Sequence, residues 1–175
     1  MYQIGDKVCY GTEGVCSIVR IQEMKVGGAK GKYYVLRPIY RESATVYVPL
    51  DNERLIARMR PVLSQQELEA LLVGADDAPL AWIDDPTERK DRFSRLLSDG
   101  SSADLLSVTR LLWRKRRQLY AAGRRMRSSD EQLLRDAEKL LTDEVALALA
   151  LPRQEVPAYL HKRLAQPETA DQQLP

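Results

Sequence analysis

The stretch 45–74, TVYVPLDNERLIARMRPVLSQQELEALLVG, contains the point at which the sequence changes from a strand-like to a helix-like pattern. Residues 45–48 are β-branched or aromatic, which predicts a strand. Pro49 has no N–H to donate to a central ladder, so the end of this strand should lie at a sheet edge. An exposed edge can pair with other chains unless it is covered or used for binding. After about Pro61 the apolar spacing becomes helical. The chain is therefore predicted to have an α+β fold, with a β unit followed by a helical unit.

Upstream of this stretch, residues 1–60 show short β-rich runs between glycine-containing turns. Several short strands with glycine turns indicate a small barrel or a strongly bent sheet. The predicted strands cover residues 7–10, 15–24, 32–39 and 44–49.

Downstream, Ser64 and Glu67 form a capping box before a helix that ends at Gly74, and residues 75–79 are predicted to be a linker. Further helices are predicted at about 86–99, 102–122, 128–149 and 153–164, from cap residues, helical periodicity and terminal glycine or proline. Asp85 is the predicted cap of the helix at 86–99, and Ser128 opens the helix at 128–149. We therefore divide the chain into a β domain at 1–60, a helical domain at 61–165 and a flexible tail at 166–175.

Basic residues are concentrated on the third predicted helix and the turn that follows, although the formal net charge of the whole chain is only +2. The segment 110–127 has no acidic residue and contains Arg110, Arg114, Lys115, Arg116, Arg117, Arg124, Arg125 and Arg127. A helical wheel places Arg110, Arg114 and Arg117 opposite the leucine-rich core stripe, and we call these three residues the arginine ridge. Arg124 and Arg125 extend it, and Arg89, Lys90 and Arg92 form a second basic set.

Such a ridge is often a solvated face that pairs with local acids, but the absence of acids favours binding to nucleic-acid phosphates. The usual spacing of a base-reading helix-turn-helix is not evident, so we expect contacts that are largely independent of DNA sequence. Trp113 is predicted to pack in the core. Trp82 lies just before a helix start, where it is either a hydrophobic staple or a wedge that inserts at an unstacked base step.

Several other classes of function are disfavoured by the sequence. The glycine-rich segment 26–33 lacks the spacing of a phosphate-binding loop, and neither a nucleophile motif nor a dinucleotide fingerprint is present. Cys9, Cys16 and His161 do not have metal-ligand spacing, and we interpret the cysteines as buried and reduced rather than disulfide-bonded. We therefore expect no catalytic residue, no metal and no cofactor.

The sequence shows neither a membrane-spanning run nor the apolar core of a signal peptide. A cytoplasmic protein without membrane contact is expected.

The β unit resembles the polymerase-interacting domain shared by CarD/CdnL transcription regulators and the transcription-repair coupling factor. The resemblance rests on Ile4-Gly5-Asp6-Lys7-Val8, Tyr34-Val35-Leu36 and Val46-Tyr47-Val48-Pro49-Leu50-Asp51-Asn52. The helical unit is similar to the CarD C-terminal domain at Ser98-Asp99-Gly100, Leu111-Leu112-Trp113-Arg114 and 140–148.

This resemblance implies a Tudor-like N-terminal barrel that pairs with the β subunit of RNA polymerase. The family's contact strand corresponds to Thr45, Val46 and Tyr47, and its neighbouring turn to Met24 and Lys25. Tyr47 stands where relatives can carry arginine. Some relatives wedge a tryptophan into the minor groove at the upstream edge of the melted promoter, a role that falls to Trp82 only with a four-residue shift.

The resulting hypothesis is a non-enzymatic, monomeric transcription regulator that stabilises the open promoter complex. The predicted DNA contacts are Trp82, Arg89, Lys90, Arg110, Arg114, Arg117, Arg124 and Arg125. Two alternatives remain: a nucleic-acid-binding module that is independent of polymerase, and a scaffold whose ridge binds an acidic partner.

Overall fold

The computed structural model describes residues 1–41, 44–74 and 80–164, with only the backbone of Val26 and Ala29. It has an antiparallel sheet at the N-terminus and a mostly helical C-terminal part, so the α+β prediction is confirmed. The predicted linker at 75–79 and tail at 166–175 lie outside the described residues. None of the described helices is long and apolar enough to cross a membrane.

The sheet has five strands in the order β4-β3-β2-β1-β5, with every neighbouring pair antiparallel. The strands are β1 (Lys7–Tyr10), β2 (Val15–Val26), β3 (Ala29–Pro38), β4 (Val46–Pro49) and β5 (Met59–Pro61). In the part of the chain that the structure describes, β4 and β5 are the two edges and do not pair with each other, so the sheet is open. The predicted closure into a Tudor-like barrel is not confirmed.

Two short elements between β4 and the helical part were not predicted. Helix α1 (Glu53–Ala57) begins after Asn52, whose side chain accepts a hydrogen bond from the Leu55 amide. Strand β5 has only three residues and exists because it pairs with β1. Elements this short carry no periodicity of their own in the sequence.

A register shift in β2, between Ile18 and Arg20, changes which residues share a face of the sheet. Before it, Ile18 faces Leu36 in a buried cluster, which we call the sheet core. After it, Arg20 pairs with Val35, and Val35 pairs with Tyr47 on β4. Because directly paired residues share a face, Arg20, Val35 and Tyr47 lie together on the face opposite the sheet core.

The helical part contains α2 (Gln65–Val73), α3 (Pro86–Asp99), α4 (Ser102–Ala121), α5 (Ser128–Leu149) and α6 (Val156–Leu164). These bounds confirm the predicted helices within a few residues. The capping box of Ser64 and Glu67 is present, and Asp85 caps α3 as predicted. Helix α5 begins at Ser128, as predicted, but its N-cap residue is Arg127 and no side chain caps it.

The helices enclose a second hydrophobic core, which we call the helical core. Phe93, Leu112 and Val145 are completely buried there, on α3, α4 and α5. Leu68 of α2 and Leu160 of α6, on the first and last of these helices, belong to the same core. The helical part therefore has its own core, separate from that of the sheet.

Charged side chains join the sheet to the helices. Arg60 on β5 donates two hydrogen bonds to the buried carboxylate of Glu144 on α5, at 2.7 and 2.8 Å, and also bonds Ser102 on α4. Arg58 forms an ion pair with Asp99 at 2.7 Å. We call these two ion pairs, with Ser102, the domain clamp. Because one partner of each pair lies in each unit, the clamp fixes the orientation of the sheet relative to the helices.

Candidate functional site

Strand β4 presents an unpaired backbone edge. The Leu50 amide donates to the Lys32 carbonyl at 2.8 Å, just beyond the strand. Hydrogen-bonded and non-bonded pairs alternate along an antiparallel ladder, so Val48 and Val46 also bond toward β3. The N–H and C=O of Tyr47 consequently point away from the sheet. In the described part of the chain β4 pairs only with β3, so Tyr47 can bond an added strand.

The side chains of this edge divide between the two faces. Val46 is half-buried and packs on the sheet core, whereas Thr45 is exposed. Tyr47 is 47% exposed. The edge therefore offers an aromatic side chain on one face and backbone hydrogen bonds in the sheet plane.

Met24 and Lys25 lie at the far end of the β2–β3 hairpin, away from β4. Met24 pairs with Gly31, whereas Tyr47 pairs with Val35, so the two residues are about 13 Å apart along the strands and β3 lies between them. Alternation nevertheless places Met24 on the same face as Tyr47, and Lys25 on the other. The structure therefore brings Met24 and Tyr47 to one face but not into contact.

Arg20 is a cation on the Tyr47 face that the sequence reasoning missed. It is exposed and lies across Val35 from Tyr47. Only the register shift after Ile18 places it there, and strict alternation from Ile18 would have assigned it to the opposite face.

Two cations lie close to the ring of Trp82. The guanidinium carbon of Arg89 is 4.2 Å from the centre of its ring, and Lys115 Nζ is 4.7 Å from it. The ring is half-buried and packs against the helical core. Both cations stabilise the ring electrostatically, by about 0.5–2 kcal/mol each in general. Trp82 therefore has a defined position with part of its surface still accessible.

The predicted contact between Arg89 and DNA does not fit this structure. Arg89 is 2% exposed, and its guanidinium donates to both carboxylate oxygens of Asp130 on α5, at 3.0 and 2.8 Å. It also donates to the main-chain oxygens of Ile83 and Asp84. Its role is to hold the segment that carries Trp82. The sequence of α3 alone does not reveal this, because the buried acid is 41 residues away in sequence.

Most of the other predicted DNA contacts are accessible. Arg114 and Arg117 are exposed on α4, Arg110 is half-buried there, and Lys90 is exposed on α3. Lys115, which contacts Trp82, lies about 130° around α4 from the centre of the arginine ridge. The structure therefore places Trp82 and the ridge on different sides of α4. Arg124 and Arg125 are exposed in the turn that follows.

Trp113 packs against the helical core, as predicted. Its ring stacks on His161 of α6 with centroids 5.2 Å apart, and its indole N–H donates to Glu138. This tryptophan therefore connects α4 to α5 and α6.

The thiols of Cys9 and Cys16 are buried and not joined in a disulfide, as predicted. Burial is the main cause that raises the pKa of each thiol to about 12. Both thiols therefore remain protonated at neutral pH, which disfavours nucleophilic or metal-binding roles. Among residues 1–41, 44–74 and 80–164, no group of three or more histidine, cysteine or acidic side chains is arranged to hold a metal ion.

Residues 2–63 match the family described as the CarD-like/TRCF RID domain. The matched segment contains all five strands and helix α1. No curated protein matches the chain.

Proposed function

We propose that this chain, which carries a CarD-like/TRCF RID domain at residues 2–63, is a transcription regulator that binds RNA polymerase and promoter DNA together. The RID domain docks on the polymerase β subunit. The helical domain, from residue 61 to 165, contacts DNA at the upstream edge of the melted promoter and stabilises the open complex. The observation that carries this proposal is the open β4 edge within the matched domain.

Docking by strand addition is supported by the geometry of Tyr47. Its backbone N–H and C=O point outward, so a partner strand can bond them without disturbing β3. The exposed Tyr47 ring and the Arg20 cation lie on one face beside that edge. Relatives can carry an arginine at the position of Tyr47. In this chain Arg20 supplies positive charge to the same face.

DNA contact is supported by Trp82 and the cations around it. Arg89 and Asp130 hold the segment before α3, so that the Trp82 ring is already oriented before DNA arrives. A preorganised ring loses less conformational freedom on insertion at an unstacked base step. Lys115 beside the ring and Lys90 on α3 supply charge for the neighbouring phosphates.

The mechanism we propose is linkage. Such a protein binds polymerase and the junction of an opened promoter, but not the closed promoter. It therefore shifts the equilibrium between closed and open complexes toward the open one, by an amount set by its difference in affinity. The domain clamp keeps the two binding surfaces in a fixed relation, so docking raises the local concentration of a weak DNA site. This mechanism requires neither ATP nor a catalytic residue, and a monomer is sufficient.

The test is the lifetime of open complexes formed with polymerase holoenzyme on a promoter that carries a fluorophore in the melted region. We expect the wild-type protein to prolong the lifetime and Trp82→Ala to lose most of that effect. Val73→Ala, which truncates another apolar side chain at an exposed site (79%), is the matched control and should behave as wild type.

A second pair of variants tests docking. Tyr47→Pro removes the outward N–H, and Tyr47→Phe keeps it. An edge strand tolerates proline where its N–H faces solvent, so both variants should remain folded. We expect only the proline variant to lose binding to polymerase, because it lacks the N–H that a partner strand would bond. A folded wild-type protein without any effect on polymerase would contradict the proposal.

The second candidate function is a nucleic-acid-binding module that acts without polymerase. It is favoured by the acid-free, arginine-rich segment around α4. Equal affinity for promoter DNA with and without polymerase would support it over the regulator.

A further inference from the structure

The C-terminal end of α4 and the turn after it form an exposed cationic surface around an aromatic ring. We call Arg117, Tyr120, Arg124 and Arg125 the α4 tip. Tyr120 is 84% exposed, the most exposed aromatic residue in the described chain, and the three arginines are exposed as well. Arg117 is one turn before Tyr120 and on the same side of the helix.

The tip is a built turn rather than a frayed helix end. Gly123 has a φ of +68°, and the Arg124 amide donates to the Leu119 carbonyl at 2.8 Å, which ends the helix in a defined reversal. Met126 is 7% exposed and anchors the following residues. The backbone around Tyr120 therefore holds Arg124 and Arg125 in a fixed position after the helix.

The charge at the tip is not balanced by nearby acids in sequence. No acidic residue occurs between Asp104 and Asp130. Asp130 forms an ion pair with Arg89, and Glu131 at the start of α5 forms one with Arg135. The positive charge of the tip is therefore available to a polyanion.

We propose that the α4 tip binds unpaired DNA, with Tyr120 stacking on a base and the arginines contacting flanking phosphates. An exposed ring among cations matches single-strand recognition, in which every base offers a π-face to stack on. In a duplex the faces of the bases are covered by their neighbours, and Tyr120 would add little. This inference rests on the proposed function, because an opened promoter supplies the unpaired strand.

This site is distinct from Trp82. Lys115, which marks the Trp82 side of α4, lies about 140° around the helix from Tyr120. The proposed roles are also different, since Trp82 meets the edge of the bubble while Tyr120 holds a strand already separated.

The experiment measures binding of the full chain, without polymerase, to fluorescein-labelled oligo(dT) by anisotropy. We expect Tyr120→Ala to weaken binding roughly fivefold or more, and Tyr120→Phe to bind as wild type. Arg117→Ala should lower the slope of log affinity against log salt by about 0.7, the value for one phosphate contact on a single strand. Arg54→Ala, an exposed arginine of the RID domain, is the matched control for charge.

Circular dichroism spectra check that every variant is folded. We expect Tyr120→Ala to fold normally, because the side chain of Tyr120 is exposed. Unchanged oligo(dT) affinity in folded Tyr120→Ala would overturn the proposal. Tighter binding to duplex DNA or to oligo(U) than to oligo(dT) would overturn it also. None of these results depends on polymerase, so the open-complex lifetimes decide the proposed function separately.

Discussion

Replacing Arg89 by alanine tests the most buried ion pair of the helical domain. The side chains of Arg89 and Asp130 are 2% and 3% exposed, and two charge-assisted hydrogen bonds join them. Removing the arginine leaves a carboxylate buried without its counter-ion. Breaking such a pair from one side costs about 3–5 kcal/mol. A domain of ordinary stability, about 5–15 kcal/mol, would lose a large part of its margin.

The assay is urea-induced unfolding followed by circular dichroism, which does not depend on the environment of Trp82. We expect the free energy of unfolding of Arg89→Ala to fall by about 3–5 kcal/mol. Arg92→Ala, an exposed arginine on the same helix, is the control and should stay within about 0.5 kcal/mol of wild type.

A double variant checks the physical reason. Arg89→Ala with Asp130→Ala removes both charges, so we expect it to be less destabilised than the sum of the two single variants. The reasoning is refuted if Arg89→Ala behaves like Arg92→Ala, or if the losses in the double variant simply add.

Three further predictions concern Arg60, Asp143 and Gly100. Arg60→Ala should lower the free energy of unfolding by about 2–4 kcal/mol in urea titrations, because it leaves the buried Glu144 carboxylate unpaired; a loss no larger than that of an exposed arginine would contradict this. Burial raises the pKa of Asp143, and Arg153 only partly offsets this effect. The protonated Asp143 carboxyl therefore contributes fully to stability below its ordinary pKa, and this contribution is lost as pH rises through the raised value. Asp143→Asn should therefore gain stability relative to wild type as pH rises through the acid range, and a difference that is constant with pH would argue against it. Gly100→Ala should cost about 1–3 kcal/mol in thermal or urea unfolding, since a Cβ there would overlap the main-chain oxygen of Leu96; a neutral result would mean that the turn shifts freely.

The sequence predicted the elements that carry a long pattern or a strong terminal signal. The helices around Phe93, Leu112 and Val145 follow from apolar spacing, and the caps at Ser64 and Asp85 follow from residue type. Strand β4 was placed at an edge because Pro49 cannot donate to a ladder, and it is an edge strand.

What the sequence could not show depends on contacts between distant residues. Strand β5 needs β1 as its partner, and Arg20 reaches the Tyr47 face only through the register shift in β2. Arg89 belongs to a run of exposed-looking basic residues, and its burial depends on Asp130, in another helix. Local spacing distinguishes core from surface on one helix, but it does not reveal which charge is paired across the fold.

The domain clamp also has a consequence for how such proteins recombine. Arg60 lies within the RID domain, whereas Glu144 and Ser102, its partners, lie in the helical domain. A chimera that joins this RID domain to a foreign helical domain would inherit one half of the ion pair without the other. The two modules are therefore exchangeable only as a matched set, unless the acceptor brings its own acid to the position of Glu144.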